Sequence, residues 1–86
     1  MHDDFKLNLI RFNLLKKAEQ GPLKLGELQG YMENKGLTHT TEEMIKEQLE
    51  HLHSEDFLSQ VSAHGYKITD KGIQEIKEVK GALEKF

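Results

Sequence analysis

The chain contains no cysteine and no tryptophan, has one proline among its 86 residues, and has no long apolar run. Each absence removes a class of protein. Without cysteine there is no disulfide framework and no thiolate metal site, although either redox compartment stays open. Without a run approaching about 20 apolar residues there is no membrane-spanning helix, and no membrane partner is expected. The opening segment MHDDFKLNLIRF starts acidic and is interrupted by Lys6 and Arg11. It lacks the basic start and unbroken apolar centre of a secretory signal, which predicts cytoplasmic residence.

Catalytic constellations are equally scarce. The histidines are His2, His39, His51, His53 and His64, and a metal or nucleophilic site would need two or three of them converging with a carboxylate. Glu47 and His51 stand one helical turn apart, as do His51 and Glu55, a spacing that suits a surface metal pair and equally a solvated helix face. The second reading is the stronger, and His53 points elsewhere on the same helix. Gly26 and Gly30 lack the preceding strand and the lysine–serine pair of a phosphate loop, so they read as packing residues. No Ser/His/Asp set or paired-carboxylate cleft stands out. The expectation is a non-enzyme with no cofactor and no metal site.

What is present is a soluble-type composition, 36% apolar and 31% charged, in a chain long enough for one core and too short for two. Its net charge of −3 is unevenly placed: +1 over residues 1–20, 0 over 21–37, −5 over 38–58 and +1 over 59–86. The negative excess therefore sits in one segment.

Periodicity divides the chain. Leu7, Ile10, Leu14 and Ala18 follow helical spacing, with Phe5, Leu9 and Phe12 as an adjoining apolar stripe, and predict a helix over about 4–18. Gly21-Pro22 ends it, the glycine offering a positive-φ end position. Leu25, Leu28, Tyr31 and Met32 predict a second helix over about 25–35, closed by Gly36, with Tyr31 at the edge of the core. The run Thr40-Thr41-Glu42-Glu43 reads as a capping box, with Thr40 as cap and Glu43 answering it, and opens a third helix over about 41–55. Met44 or Ile45, then Gln48/Leu49 and Leu52, form its buried stripe; Glu42, Glu43, Lys46, Glu47 and Glu50 form the opposite face. From Phe57 the period shortens to two, with His64-Gly65 at a turn, which predicts a hairpin over about 57–69. Thr69 or Asp70 then caps a last helix over about 70–85, whose Ile73, Ile76, Val79, Leu83 and Phe86 keep spacings of three and four.

The order H-H-H-E-E-H, mainly α with a small β-hairpin, resembles a winged helix-turn-helix domain occupying residues 1–86. Three stretches carry the resemblance to the MarR-type and PadR-type transcriptional regulators: PLKLGELQGYM (22–32), EEMIKEQLEHLHSEDFL (42–58) and YKITDKG (66–72). It covers roughly residues 13–76 and is a likeness of fold. The resemblance implies DNA binding as a homodimer, with the third helix in the major groove and the wing along the backbone. On that basis Thr40, Thr41, Glu42, Glu43, Lys46, Glu47 and Glu50 would face double-stranded DNA, and His64 and Lys67 would be the cations of the wing. Four of the seven helix positions are glutamates, and phosphate affinity comes from lysine and arginine. The alternative is a protein-interaction module whose acidic third helix meets a basic protein partner. The first and last helices together carry more apolar surface than so short a chain readily buries, which predicts a homodimer through Phe5, Leu9, Phe12, Ile76, Val79, Leu83 and Phe86.

Overall fold

The computed structural model describes residues 2–84 of the chain and the side chains of residues 6–82. Its elements are α1 (His2–Gln20), β1 (Leu23–Lys24), α2 (Leu25–Asn34), α3 (Glu42–Ser54), β2 (Leu58–Ser62), β3 (Gly65–Ile68) and α4 (Asp70–Glu84). The protein is mainly helical with a small three-stranded antiparallel sheet in the order β1-β3-β2. There is one strand more than the expected H-H-H-E-E-H. β1 is two residues long, and it is a strand only because Leu23 pairs with Tyr66 and Lys24 with Gly65. So short a piece shows no alternation of its own. Its pairing partner, 43 to 41 residues away in the chain, decides its conformation.

The helical stripes close one core. Ile10, Leu14, Leu15 and Ala18 of α1, Leu25, Leu28 and Met32 of α2, Ile45, Leu49 and Leu52 of α3, and Ile76 of α4 are buried together with Leu23, Phe57, Leu58 and Tyr66. Each fully buried leucine or isoleucine contributes about 1.5–3 kcal/mol relative to exposure. Tyr31 is half-buried at the edge of this core, as its spacing from Leu28 predicts. In the hairpin, Leu58 faces Ile68 and Gln60 faces Tyr66, and the register then slips between Gln60 and Ser62. That bulge leaves Val61 as an exposed large apolar residue, 54% accessible.

Glycine roles depart from expectation at Gly21, Gly26 and Gly30. The helix end marked by Gly21 needs no positive φ; its N–H bonds to the Ala18 carbonyl at 3.2 Å, and Pro22 prevents a further turn. Gly36 does take the left-handed conformation, at φ 82°. Gly26 and Gly30 are exposed, and a Cβ added to either would meet nothing within 4 Å, so they do not pack against another helix. The glycine with a steric duty is Gly72: a Cβ there would run into the carbonyl oxygen of Phe57 and the side chain of Ile68. The first turn of α4 passes the end of α3 and the hairpin too closely for any larger residue.

Candidate nucleic-acid interface

The outer face of α3 is the largest group of predicted site residues that the fold brings together. Its inner stripe of Ile45, Gln48, Leu49 and Leu52 is buried, which turns Glu42, Glu43, Lys46, Glu47, Glu50 and His53 outward, all of them exposed. The helix start is set by Thr41, whose hydroxyl accepts from the Met44 N–H at 3.2 Å. Thr40 is therefore not the cap. It is 2% accessible and its hydroxyl donates to the Leu37 carbonyl at 2.7 Å, while its own carbonyl accepts from Gln29 at 3.2 Å. Thr40 locks the turn between α2 and α3 and cannot touch a ligand on the α3 face. Two adjacent threonines look alike in a string; only the path of the chain chooses which one turns inward.

The turn ahead of α3 is held from outside as well. His39 sits in the left-handed region at φ 63°, a conformation that non-glycine residues seldom adopt. The Lys6 ammonium donates to the carbonyls of Thr38 and His39, each at 3.2 Å. This places a cation beside the start of α3. Glu42 and Glu43, in the first turn, are stabilised by the positive end of the helix dipole.

At its other end α3 meets the hairpin. The His53 ring stands edge-on to Tyr66, with centroids 6.2 Å apart. Burial, and secondarily the Glu50 carboxylate, push the Tyr66 phenol upward, so it stays neutral. His64 lies in the turn between β2 and β3 and Lys67 lies on β3 opposite Ser59; both are exposed. Glu47 and His51 approach to 3.9 Å on the exposed surface. No group of three metal-ligating side chains forms among the described residues.

A brace that local spacing could not reveal closes the exit of α3. Arg11 of α1 grips Glu55 with two contacts of 2.6 Å across 44 residues of sequence. The hydrogen bond from Arg11 holds the Glu55 carboxyl below the usual carboxylate range; desolvation opposes it, and the charges of Arg11, His51 and Lys71 add to it. The Arg11 guanidinium and the Lys71 ammonium both lie over the Phe57 ring, at 5.5 and 5.3 Å from its centroid. No i,i+4 rule links these four residues, and sequence reasoning missed the arrangement.

The expected dimer residues divide. Phe12 and Val79, both half-buried, line a groove of about 350 Å³ between α1 and α4 together with Asn8, Arg11, Leu15 and Glu75. Leu9 is half-buried on α1. Ile76 is 1% accessible and belongs to the core of its own chain, so it is not an interface residue. It lies on the centre of the inward face of α4, where the chain's own helices cover it. The side chains of Phe5 and Leu83, and the whole of Phe86, lie outside the described residues. No described helix is long and apolar enough to cross a membrane. Compared with known proteins, the chain matches no family model, no curated sequence and no solved structure.

Proposed function

We propose that the chain is a winged-helix domain that binds double-stranded DNA and acts as a small homodimeric transcriptional regulator, with α3 as the reading helix and the β2–β3 hairpin as the wing. The observation that carries this reading is the presentation of α3. Its inner face is packed between α1, α2 and the hairpin, and its outer face is exposed from Thr41 to Glu50, meeting the hairpin only near its end, where His53 stands against Tyr66. A helix so displayed, preceded by a short helix and a seven-residue connection and followed by a hairpin, has the order in which helix-turn-helix proteins enter the major groove. Thr41, Glu43, Lys46 and Glu47 are the side chains placed to meet base edges; a glutamate accepts from the cytosine amino group. Lys6, Lys46, His64 and Lys67 are the groups available for phosphate.

A second reading is favoured by the charge of that same face. Glu42, Glu43, Glu47 and Glu50 outnumber Lys46 on it, and such a surface suits a basic protein better than a polyanion. The two readings separate in a salt titration against random duplex DNA. A DNA reader loses affinity steeply as salt rises, and absence of binding at about 50 mM salt would eliminate the first reading. Where binding is seen, Glu47→Gln with Glu50→Gln should tighten it several-fold by removing two negative charges from the groove face. An unchanged affinity would show that α3 is not the reading element.

A further inference from the structure

Two lysines converge on one aromatic ring at the edge between α1 and α2. Lys17 of α1 and Lys35, which follows α2, place their ammonium groups 4.8 and 5.5 Å from the centroid of Tyr31. They therefore lie within about 10 Å of each other, and like charges so placed repel. Among the described residues neither lysine has a carboxylate within ion-pair distance. The ion pairs among the described residues are Arg11–Glu55 and Glu47–His51, and neither involves these lysines. Glu27, one turn before Tyr31, and Glu33, two residues after it, are exposed and pair with neither. The two cations are held by the face of the ring in place of a counter-charge.

That arrangement is prepared for an anion. The ring directs both lysine stems before a ligand arrives, so less side-chain freedom is lost on binding. Lysine acts as a point charge suited to phosphate, whereas planar carboxylates are matched best by the arginine fork. The one described arginine, Arg11, is committed to Glu55. Two cations no more than about 10 Å apart suit neighbouring phosphates of one strand, which carries one charge per about 3.4 Å of axis. The negative excess of the sequence lies elsewhere, in residues 38–58.

We infer that Lys17, Tyr31 and Lys35 form a phosphate-binding site for the backbone of a nucleic acid. It uses no residue of α3 and so goes beyond the proposed reading helix. Contacts of this kind position a nucleic acid and carry no sequence preference.

The test uses the full chain and its Lys17→Gln/Lys35→Gln variant with a labelled random duplex, followed by fluorescence anisotropy across low to moderate salt. The variant should bind roughly tenfold or more weakly at low salt, and its logarithmic salt slope should fall by roughly 2, because each lost phosphate contact removes about 0.9. Lys17→Arg/Lys35→Arg should restore both. A double variant with the parent's slope overturns the site even if α3 binds DNA. A second measurement separates the two proposals: sodium tripolyphosphate titrated into the parent should move the NMR signals of the Tyr31 ring and the Lys35 amide, and should not move them in the double glutamine variant. Movement in the parent without duplex binding overturns the nucleic-acid assignment, leaving free polyphosphate as the ligand, and removes the α3 reading as well; no movement overturns the site.

Discussion

α3 and α4 both begin at a threonine, yet the two starts have opposite characters. Thr41 caps α3 by accepting from the Met44 N–H, and its side chain and the next two residues are exposed. Thr69 caps α4 by accepting from the Gly72 N–H, and the same hydroxyl lies against the carbonyls of Asp56 and Phe57 at the exit of α3. Its backbone N–H also donates to the Phe57 carbonyl at 3.1 Å. One start faces open space and the other is clamped into the fold. A single residue type in the cap position thus serves a display surface in one place and a structural joint in the other.

Substitutions at glycine should expose that difference most strongly. Gly72→Ala forces a Cβ into the Phe57 carbonyl at the clamped joint, and overpacking of this sort costs about 1–3 kcal/mol. At Gly30, where a Cβ meets nothing, the same change should instead stabilise by roughly 0.5–1 kcal/mol. Urea unfolding monitored by helical circular dichroism reads both. Equal effects of one sign would mean that the joint is no tighter than the surface of α2.

The caps come next in size. Loss of a threonine cap costs about 1 kcal/mol, so Thr41→Val should cost that much. Thr69→Val should cost up to about twice as much, because the same hydroxyl is bonded to the exit of α3 as well as to α4. Amide hydrogen exchange would localise the loss, to the first turn of α3 in one variant and to both the end of α3 and the start of α4 in the other. Confinement of the Thr69→Val effect to α4 would break the comparison.

The smallest effect concerns the brace behind the joint. The Glu55 carboxyl titrates lower in the folded chain than in the unfolded one. Its contribution is therefore complete above the unfolded carboxylate's range and is lost as pH falls through the folded pKa. Both partners are partly exposed, 28% and 40%, so the pair contributes only about 0.5 kcal/mol. Glu55→Gln should lower stability near neutral pH by that amount and reduce the loss between neutral and acid solution. A parallel pH profile for parent and variant would show that the pair is not formed in solution.

Much of the architecture was legible from spacing. The bounds of α2 and α3 and the start of α4 fall within one residue of those expected, because apolar residues at three and four positions define a buried stripe wherever the chain ends up. Within YKITDKG, Tyr66 and Ile68 end the sheet, the structure chooses Thr69 over Asp70 as the cap, and Gly72 keeps the turn slim. The failures share a cause. β1 exists through pairing with a distant strand, Thr40 and Thr41 exchange roles according to the path of the turn, and Ile76 is covered by the chain's own core. Gly26 and Gly30 suggested a close helix contact that no element supplies. In the candidate interface, the exposure of Glu43, Lys46 and Glu47 followed from the helix period, whereas the burial of Thr40 did not.

By itself, then, the sequence determined where the helices run, which stripe of each is apolar, that no cysteine is present for thiolate chemistry, and that negative charge gathers on the third helix. Those properties are local: they depend on residue type and on a fixed rise and rotation per residue. Tertiary structure alone decided which side chains of distant segments meet. It joined Arg11 to Glu55, set Thr69 against Phe57, and drew Lys17 and Lys35 onto the ring of Tyr31. Charge and aromatic contacts act over a few ångströms in space and are indifferent to separation along the chain, so no pattern of spacing could announce them.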